Sequence, residues 1–134
     1  MIGWFARVML ALWGVSLVML LAVRVMDGQP GNYIRGGDLY YSGRLGCTGC
    51  HRNAVFGPGM EGVAGRVRAV RLAENPGVTM AQYLAESIVD PPRYVVPGYD
   101  GNTMPHYTPS RTYFGLTIDE LRDLVAYLMT REEK

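Results

Sequence analysis

The chain has 134 residues, which is enough for one small domain and one additional element. Its 13 Lys and Arg residues nearly balance its 12 Asp and Glu residues, and the formal charge is +1. No stretch rich in Lys and Arg is present, so the sequence lacks the electrostatic signature of a nucleic-acid-binding protein. Arg7 and Arg24 are the only basic residues before residue 27. The rest of the chain is therefore close to neutral, and net charge would steer partners only weakly.

The first 26 residues form an apolar segment that predicts a transmembrane anchor. Its uncharged part, Val8 to Val23, is flanked by Arg7 and Arg24, whose long side chains can reach the lipid headgroups. With these flanks the segment is long enough to cross a hydrocarbon core of about 30 Å. A cleaved signal peptide is the alternative, but no small-x-small site followed by a polar start is visible. The sequence therefore predicts an anchor over residues 1–26 and a linker over residues 27–33.

A C-x-x-C-H motif, Cys47-Thr48-Gly49-Cys50-His51, is the strongest functional signal in the chain. We expect a first helix to run from about Ile34 to these cysteines. Two thiols at this spacing can add to the two vinyl groups of one haem, and the adjacent histidine then faces the iron. The motif therefore predicts one covalently bound haem c, with His51 as an axial ligand.

Three other interpretations of the cysteine pair are weaker. The residue count allows a Cys2His2 zinc site built from Cys47, Cys50, His51 and His106, but the spacing is not that of a zinc finger. A thioredoxin-like redox pair should follow a strand, whereas a helix is predicted before Cys47. A disulfide between positions this close is strained.

Two further helices are predicted after the motif, and no convincing strand pattern is present. Thr79 and Gln82 form a capping-box pattern at the start of one helix, which should end at Asp90-Pro91-Pro92. Thr117 and Glu120 form the same pattern before an apolar stripe at helical spacing. The segments between these helices are long. A bound haem would replace part of the apolar core that such long loops otherwise lack.

Met104 is the candidate for the second axial ligand. It lies in a loop and precedes Pro105, which restricts the backbone around it. The usual role of methionine is in the apolar core, and Met60 follows His51 too closely to reach the opposite face of the iron. His106 is the alternative ligand, and an iron with an open distal position is the third possibility.

In the order of its motifs, the chain resembles class I, mitochondrial-type c-type cytochromes with an N-terminal membrane anchor. The similarity covers about Gly36 to Met129 and rests on four segments, which read C-T-G-C-H, F-G-P-G-M-E-G-V-A-G-R, N-T-M-P and L-R-D-L-V-A-Y-L. It implies an all-α, cytochrome c-like haem domain over residues 34–134. The surface lysine ring of soluble cytochrome c is absent, because Lys134 is the only lysine.

The resemblance also implies roles for residues outside the motif. The carbonyl of Pro58 would accept a hydrogen bond from the His51 ring and fix its orientation. Arg66 would lie near a haem propionate, with a solvated surface position as the alternative. The first and last helices would cross through four residues: Gly36, Tyr40, Leu124 and Tyr127.

The function implied by the resemblance is one-electron transfer, and not catalysis. With both His51 and Met104 on the iron no position is open to a substrate, and methionine ligation raises the reduction potential. We expect a single-pass protein of the cell membrane with its haem domain on the outer (periplasmic or extracytoplasmic) face. It would be a subunit of a respiratory or photosynthetic assembly, such as a quinol-oxidising complex, a terminal oxidase or a nitric oxide reductase, with other cytochromes as redox partners. A free-standing tethered shuttle and a haem protein that binds gas or peroxide at an open distal site are the alternatives.

Overall fold

The fold is taken from a computed structural model, which describes residues 30–100, 103–105, 107 and 115–132. The predicted anchor, residues 27–29 of the predicted linker and His106 lie outside the described residues. Within these ranges no helix has the length and apolar character needed to cross a membrane, and no strand is found. The same ranges contain six α-helices: α1 (Tyr33–Tyr41), α2 (Cys47–His51), α3 (Val63–Arg66), α4 (Leu72–Glu74), α5 (Met80–Val89) and α6 (Ile118–Met129).

The prediction of one helix from about Ile34 to the cysteines is wrong, because the chain forms two helices there, α1 and α2. α1 ends at Tyr41, where the backbone N–H and the hydroxyl of Ser42 both donate to the carbonyl of Leu39, at 3.1 and 2.7 Å. A turn follows, and Gly46 takes a left-handed conformation with φ 68° at the start of α2. Glycine adopts that conformation without steric cost, so the chain changes direction just before the cysteines.

α1 and α6 cross at a glycine, in agreement with the predicted crossing of the first and last helices. A Cβ placed on Gly36 would lie 1.9 Å from the carbonyl oxygen of Asp123 and 2.8 Å from the Cβ of Tyr127. The rings of Tyr40 and Tyr127 pack beside this contact, with centroids 5.4 Å apart. Leu124 is buried in the same apolar core as Tyr40. The missing side chain of Gly36 thus allows the two helix backbones to touch.

The start of α1 is fastened to α6 by a buried carboxylate. Asp123 is only 5% exposed, and its Oδ1 accepts a hydrogen bond from the backbone N–H of Asn32 at 2.6 Å. Its Oδ2 pairs with Nε of Arg35 at 3.0 Å. A buried carboxylate is tolerated when it is both paired and hydrogen-bonded, and here it joins residues far apart in sequence.

The two capping boxes predicted from the sequence are confirmed. Thr79 Oγ1 accepts from the N–H of Gln82 at 3.2 Å, and the Gln82 side chain accepts from the N–H of Thr79 at 2.8 Å. Thr117 and Glu120 make the corresponding pair of bonds at 3.1 and 2.9 Å. Each box satisfies N–H groups that have no partner within the helix. As predicted, the chain leaves α5 at Asp90, and a short 3₁₀ turn follows at Pro91–Arg93.

A helical segment that the sequence did not predict joins the motif region to α5. It comprises α3, a π-helical turn at Val67–Arg71, and α4. Its N-cap is Gly62, with φ 67° and no side-chain hydrogen bond, so the usual sequence signal for a helix start is missing. Val63, Ala64 and Val67 are buried from this segment, which closes one side of the apolar core.

Candidate haem site

A cavity of about 400 Å³ lies against α2, the Val63–Glu74 segment, α5, α6 and the loop that contains Met104. A volume of this size is typical of ligand and cofactor pockets. Its wall is mainly apolar. It includes every site residue expected from the sequence: Cys47, Cys50, His51, Pro58, Arg66 and Met104.

The two cysteines occupy the only full turn of α2. Cys47 and Cys50 are three residues apart in a helix, so their side chains share one face. Both are free thiols, half-buried, on the cavity wall. Burial raises the pKa of the Cys47 thiol to about 11, so this thiol is protonated at neutral pH. The pair therefore presents two thiols at one edge of an apolar cavity, as attachment to two vinyl groups requires.

The ring of His51 is oriented by the two residues that follow the exposed loop after α2. Its Nδ1 lies 2.8 Å from the carbonyl oxygen of Pro58. When Nδ1 donates its proton to that carbonyl, Nε2 is left unprotonated and available to a metal. Gly57 is buried beside the ring, and a Cβ there would be 2.8 Å from Cε1. The geometry thus fixes both the tautomer and the position of the imidazole.

The two arginines on the cavity wall have different surroundings. The guanidinium of Arg66 is exposed and donates to the backbone carbonyls of Glu61, at 2.5 Å, and of Gly59. Arg71 stacks with its guanidinium carbon 3.4 Å from the ring centroid of Tyr94 and pairs with Glu74 at 2.9 Å. Its Nε is buried without a hydrogen-bond partner. Arg71, which sequence reasoning did not select, therefore retains a free donor beside the cavity, where an anionic group would satisfy it.

Met104 lies on the cavity wall with its neighbours in the 103–105 loop. Its side chain is half-buried and packs against the apolar core. Met60 also lines the cavity, whereas Met80 is buried under the first turn of α5 and does not. His106, the predicted alternative ligand, lies outside the described residues. Met104 and Met60 are therefore the thioethers that the described part of the chain brings to the cavity.

Tyr107 is a buried residue of the cavity wall that the sequence did not single out. Its hydroxyl donates to the carbonyl of Leu45, just before the cysteines, and its N–H donates to the carbonyl of Ile88 on α5 at 3.4 Å. Burial raises the pKa of the phenol to about 12. This tyrosine ties the methionine loop to the segment that leads into α2. Nothing in the sequence distinguishes it from the other tyrosines of the loop.

These residues fit a covalently attached haem. The cavity offers an apolar wall, two thiols on one helical turn, an oriented imidazole and a buried donor for a carboxylate. The described ranges contain no group of three or more His, Cys, Asp and Glu side chains that could hold a metal, and His106 of the alternative zinc site lies outside them. The chemistry of the donor set and the shape of the cavity therefore agree with the prediction from the C-x-x-C-H motif.

Comparison with known protein families gives one match. The family model for cytochrome c matches residues 34–132, which is most of the chain. Comparison with curated proteins and with solved structures finds no significant match. The matched range contains the whole cavity wall and all six helices except the first residue of α1.

Proposed function

Because the chain belongs to the cytochrome c family, we propose that His51 and Met104 ligate its haem and that it works as a membrane-anchored electron-transfer subunit. Membership in the family establishes that the domain binds haem c covalently and transfers electrons through it. When bound, the haem supplies an iron that alternates between the ferric and ferrous states, and so accepts or releases one electron. The rest of the proposal concerns the second ligand, the anchor and the partner.

The observation that carries the proposal is that His51 and Met104 line the same cavity as the two cysteines. Pro58 and Gly57 hold the imidazole in one orientation. The apolar wall keeps water away from the cofactor, and exclusion of water is one of the means by which a protein sets the potential of a haem. Met104 is half-buried on this wall, so its thioether is in the right environment for a soft ligand to iron.

Substitution of the two cavity methionines tests the axial pair. The oxidised wild-type protein should show the weak sulfur-to-iron charge-transfer band in the far red. Met104→Ala should abolish this band and allow the ferrous protein to bind carbon monoxide. Met60→Ala is the matched control, because Met60 lines the same cavity, and it should retain the band.

Two outcomes of that experiment would reject Met104 as a ligand. The first is a band that persists in Met104→Ala. The second is an oxidised wild-type protein that lacks the band, which is expected if His106 and not a methionine ligates the iron. Either result would leave covalent haem binding intact, because Cys47 and Cys50 make the attachment.

The membrane part of the proposal rests on the apolar sequence of residues 1–26 and on the near-neutral charge of the rest of the chain. A tethered cytochrome does not need charge to find its partner, because the tether supplies a high effective concentration. The subunit would serve a respiratory or photosynthetic complex, either a quinol-oxidising complex, a terminal oxidase or a nitric oxide reductase, and would exchange electrons with other cytochromes. Identification of the proteins that copurify with the full chain in mild detergent tests this assignment.

A further inference from the structure

The first turn of α1 presents two large apolar side chains to solvent. Tyr33 and Ile34 are the first two residues of the helix, and they are 56% and 62% exposed. The side chain of Asn32 caps this turn by accepting from the N–H groups of Ile34 and Arg35, at 3.0 and 3.1 Å. The cap fixes the backbone, so both side chains are held at the surface where the linker enters the domain.

The core of the domain does not use these two side chains. Gly36 and Tyr40 are the buried residues of α1, and they pack against α6. Tyr33 and Ile34 belong neither to the apolar core nor to the half-buried residues around it. Single exposed apolar residues are common on protein surfaces. Here, however, two adjacent ones lie at the end of the domain that is closest in sequence to the proposed anchor.

The linker is too short to carry this end of the domain far from a membrane. Met26 ends the proposed anchor, and Tyr33 follows it by seven positions. A fully extended chain of that length spans about 25 Å, which is less than the diameter of a small domain, about 30 Å. The start of α1 therefore stays within one domain diameter of the lipid, whichever way the domain turns.

The charges around this turn permit contact with lipid headgroups. The guanidinium of Arg35 is paired with Asp123 at 3.0 Å. Arg122, whose backbone adjoins the linker end of the domain, is paired with Asp119 at 2.6 Å. Asp38 is exposed, but it lies one turn beyond Ile34, about 6 Å farther along the helix axis. Contact with lipid is therefore favoured at the first turn of α1 and is limited to it.

We propose that Tyr33 and Ile34 rest in the lipid headgroup layer and hold the haem domain with the start of α1 toward the bilayer. Tyrosine suits this layer, because its ring is apolar and its hydroxyl reaches water. The inference rests on the anchor of the proposed function, since two side chains are too few to hold a free domain on lipid. The anchor supplies the effective concentration that lets so small a contact form. The contact would restrict the directions in which the haem cavity faces, and so favour one approach for a redox partner.

The experiment reconstitutes the full haem-bound chain into phosphatidylcholine vesicles and labels its tyrosines with diazotised sulfanilate, a charged reagent that does not cross the bilayer. Tyr41 is the internal control, because it ends the same helix and is exposed to the same degree, 58% against 56% for Tyr33. Tryptic cleavage after Arg35 and Arg44 separates the two sites. Mass spectrometry then measures the labelling of each, relative to the urea-unfolded chain. We expect Tyr33 to be labelled severalfold less than Tyr41, a ratio that does not depend on which way the chain inserts.

A matched pair of variants tests whether lipid is the shield. Ile34→Asp places a negative charge in the contact and should raise the labelling of Tyr33 to the level of Tyr41. Val55→Asp is the control, because Val55 is exposed to a similar degree, 66% against 62%, but lies in the loop after α2. It should leave Tyr33 protected. Both substituted side chains are exposed, so both variants should keep the haem spectrum of the wild type.

Flotation of the vesicles on a density gradient separates failure of the anchor from failure of the contact. A chain that does not float with the vesicles would reject the anchor and this inference with it. A chain that floats but is labelled equally at Tyr33 and Tyr41 would leave the anchor in place and overturn the contact. Protection of Tyr33 that survives in Ile34→Asp would also overturn it, because the headgroup layer would then not be the shield.

Discussion

The imidazole of His51 lies directly against the backbone of Gly57, where a Cβ would be 2.8 Å from Cε1 and 3.0 Å from Nδ1. The same ring reaches the carbonyl of the next residue, Pro58, at 2.8 Å. The position of the His51 imidazole is therefore set by backbone atoms on one side of the ring. The Gly57-Pro58 pair acts as a rigid support for the histidine, and its glycine is required for reasons of space.

Substitution of Gly57 should disturb the haem iron more than the fold around it. Gly57→Ala forces the His51 ring to move or rotate, and overpacking of this kind typically costs about 1–3 kcal/mol of unfolding free energy. We expect that loss together with a shifted haem absorption spectrum and a changed reduction potential. Gly59→Ala is the matched control, because its Cβ would make only an ordinary contact, 3.6 Å from that of Ala54. An unchanged spectrum in Gly57→Ala would show that the ring is not held by this contact.

A side chain at the helix crossing should destabilise the whole domain. In Gly36→Ala the new Cβ would overlap the carbonyl of Asp123, so α1 and α6 must separate along their contact. The cost should be at or above the upper end of the usual 1–3 kcal/mol for overpacking, because the obstructing atom belongs to the backbone. Urea unfolding of the haem-bound protein gives the measurement. Gly43→Ala has nothing within 4 Å of its Cβ, and a comparable loss there would contradict a specific role for the crossing.

Alkaline pH should weaken the fold through Tyr107. Burial raises the pKa of its phenol from an ordinary value of 10.0 to about 12 in the folded protein. The contribution of Tyr107 to the unfolding free energy is complete below pH 10, where its phenol is protonated in both the folded and the unfolded protein. It is lost as pH rises from 10 to 12, because the unfolded chain then releases the proton first. The unfolding free energy should fall across this window, and Tyr107→Phe should make that fall less steep.

Tyr107→Phe should also lower the stability of the protein at neutral pH. Tyr107→Phe leaves the buried carbonyl of Leu45 without its hydroxyl donor, which typically costs about 1–3 kcal/mol. Tyr107→Phe should thus be less stable than wild type at pH 7, and the difference between their unfolding free energies should narrow toward pH 12. A gap that stays constant from pH 7 to pH 12 would count against a titrating Tyr107.

Removal of the N-terminal segment tests the anchor without touching the cavity. A chain of residues 30–134 retains every described helix and all the residues that line the cavity. It should therefore be soluble, with the haem spectrum of the full chain. It should also lose membrane association and most electron delivery to the partner, since the tether no longer concentrates it there. Full copurification of the truncated chain with the membrane complex would place the main interface on the haem domain.

The parts of the fold that could be predicted are those with a local chemical signal. The capping boxes at Thr79 and Thr117 are satisfied by neighbouring residues within each helix, so the sequence alone shows where α5 and α6 begin. The segment that begins at Gly62 has no such signal, since its cap is a left-handed glycine without a side-chain bond. Its helical form depends on burial of Val63, Ala64 and Val67 against the rest of the domain, which is a tertiary effect.

The residues of the candidate site divide in the same way, into those with a local sequence signal and those that depend on tertiary structure. Cys47, Cys50 and His51 fall within five consecutive residues and could be recognised together, whereas Arg71 and Tyr107 reach the cavity from distant segments. Both are important because they are buried: Arg71 has a buried Nε without a hydrogen-bond partner, and Tyr107 has a buried hydroxyl that donates to Leu45. The position of Arg66 near a propionate stays a prediction: Arg66 lines the cavity, and its guanidinium donates to the backbone carbonyls of Glu61 and Gly59, which precede α3. Hydrogen bonds of this kind depend on backbone geometry that composition and spacing do not encode.

The link between Asn32 and Asp123 has a mechanical consequence for a tethered protein. In the anchored protein that we propose, tension applied through the N-terminal linker would enter the domain at Asn32, where the backbone N–H is held by the carboxylate on α6. The ion pair between Arg35 and Asp123 lies one helical turn farther on. Load therefore passes from the linker into the α1–α6 pair before it reaches α2, which follows α1 by way of a separate turn. The proposed attachment point would thus be braced, and movement of the tether would be kept away from the cysteines and the imidazole.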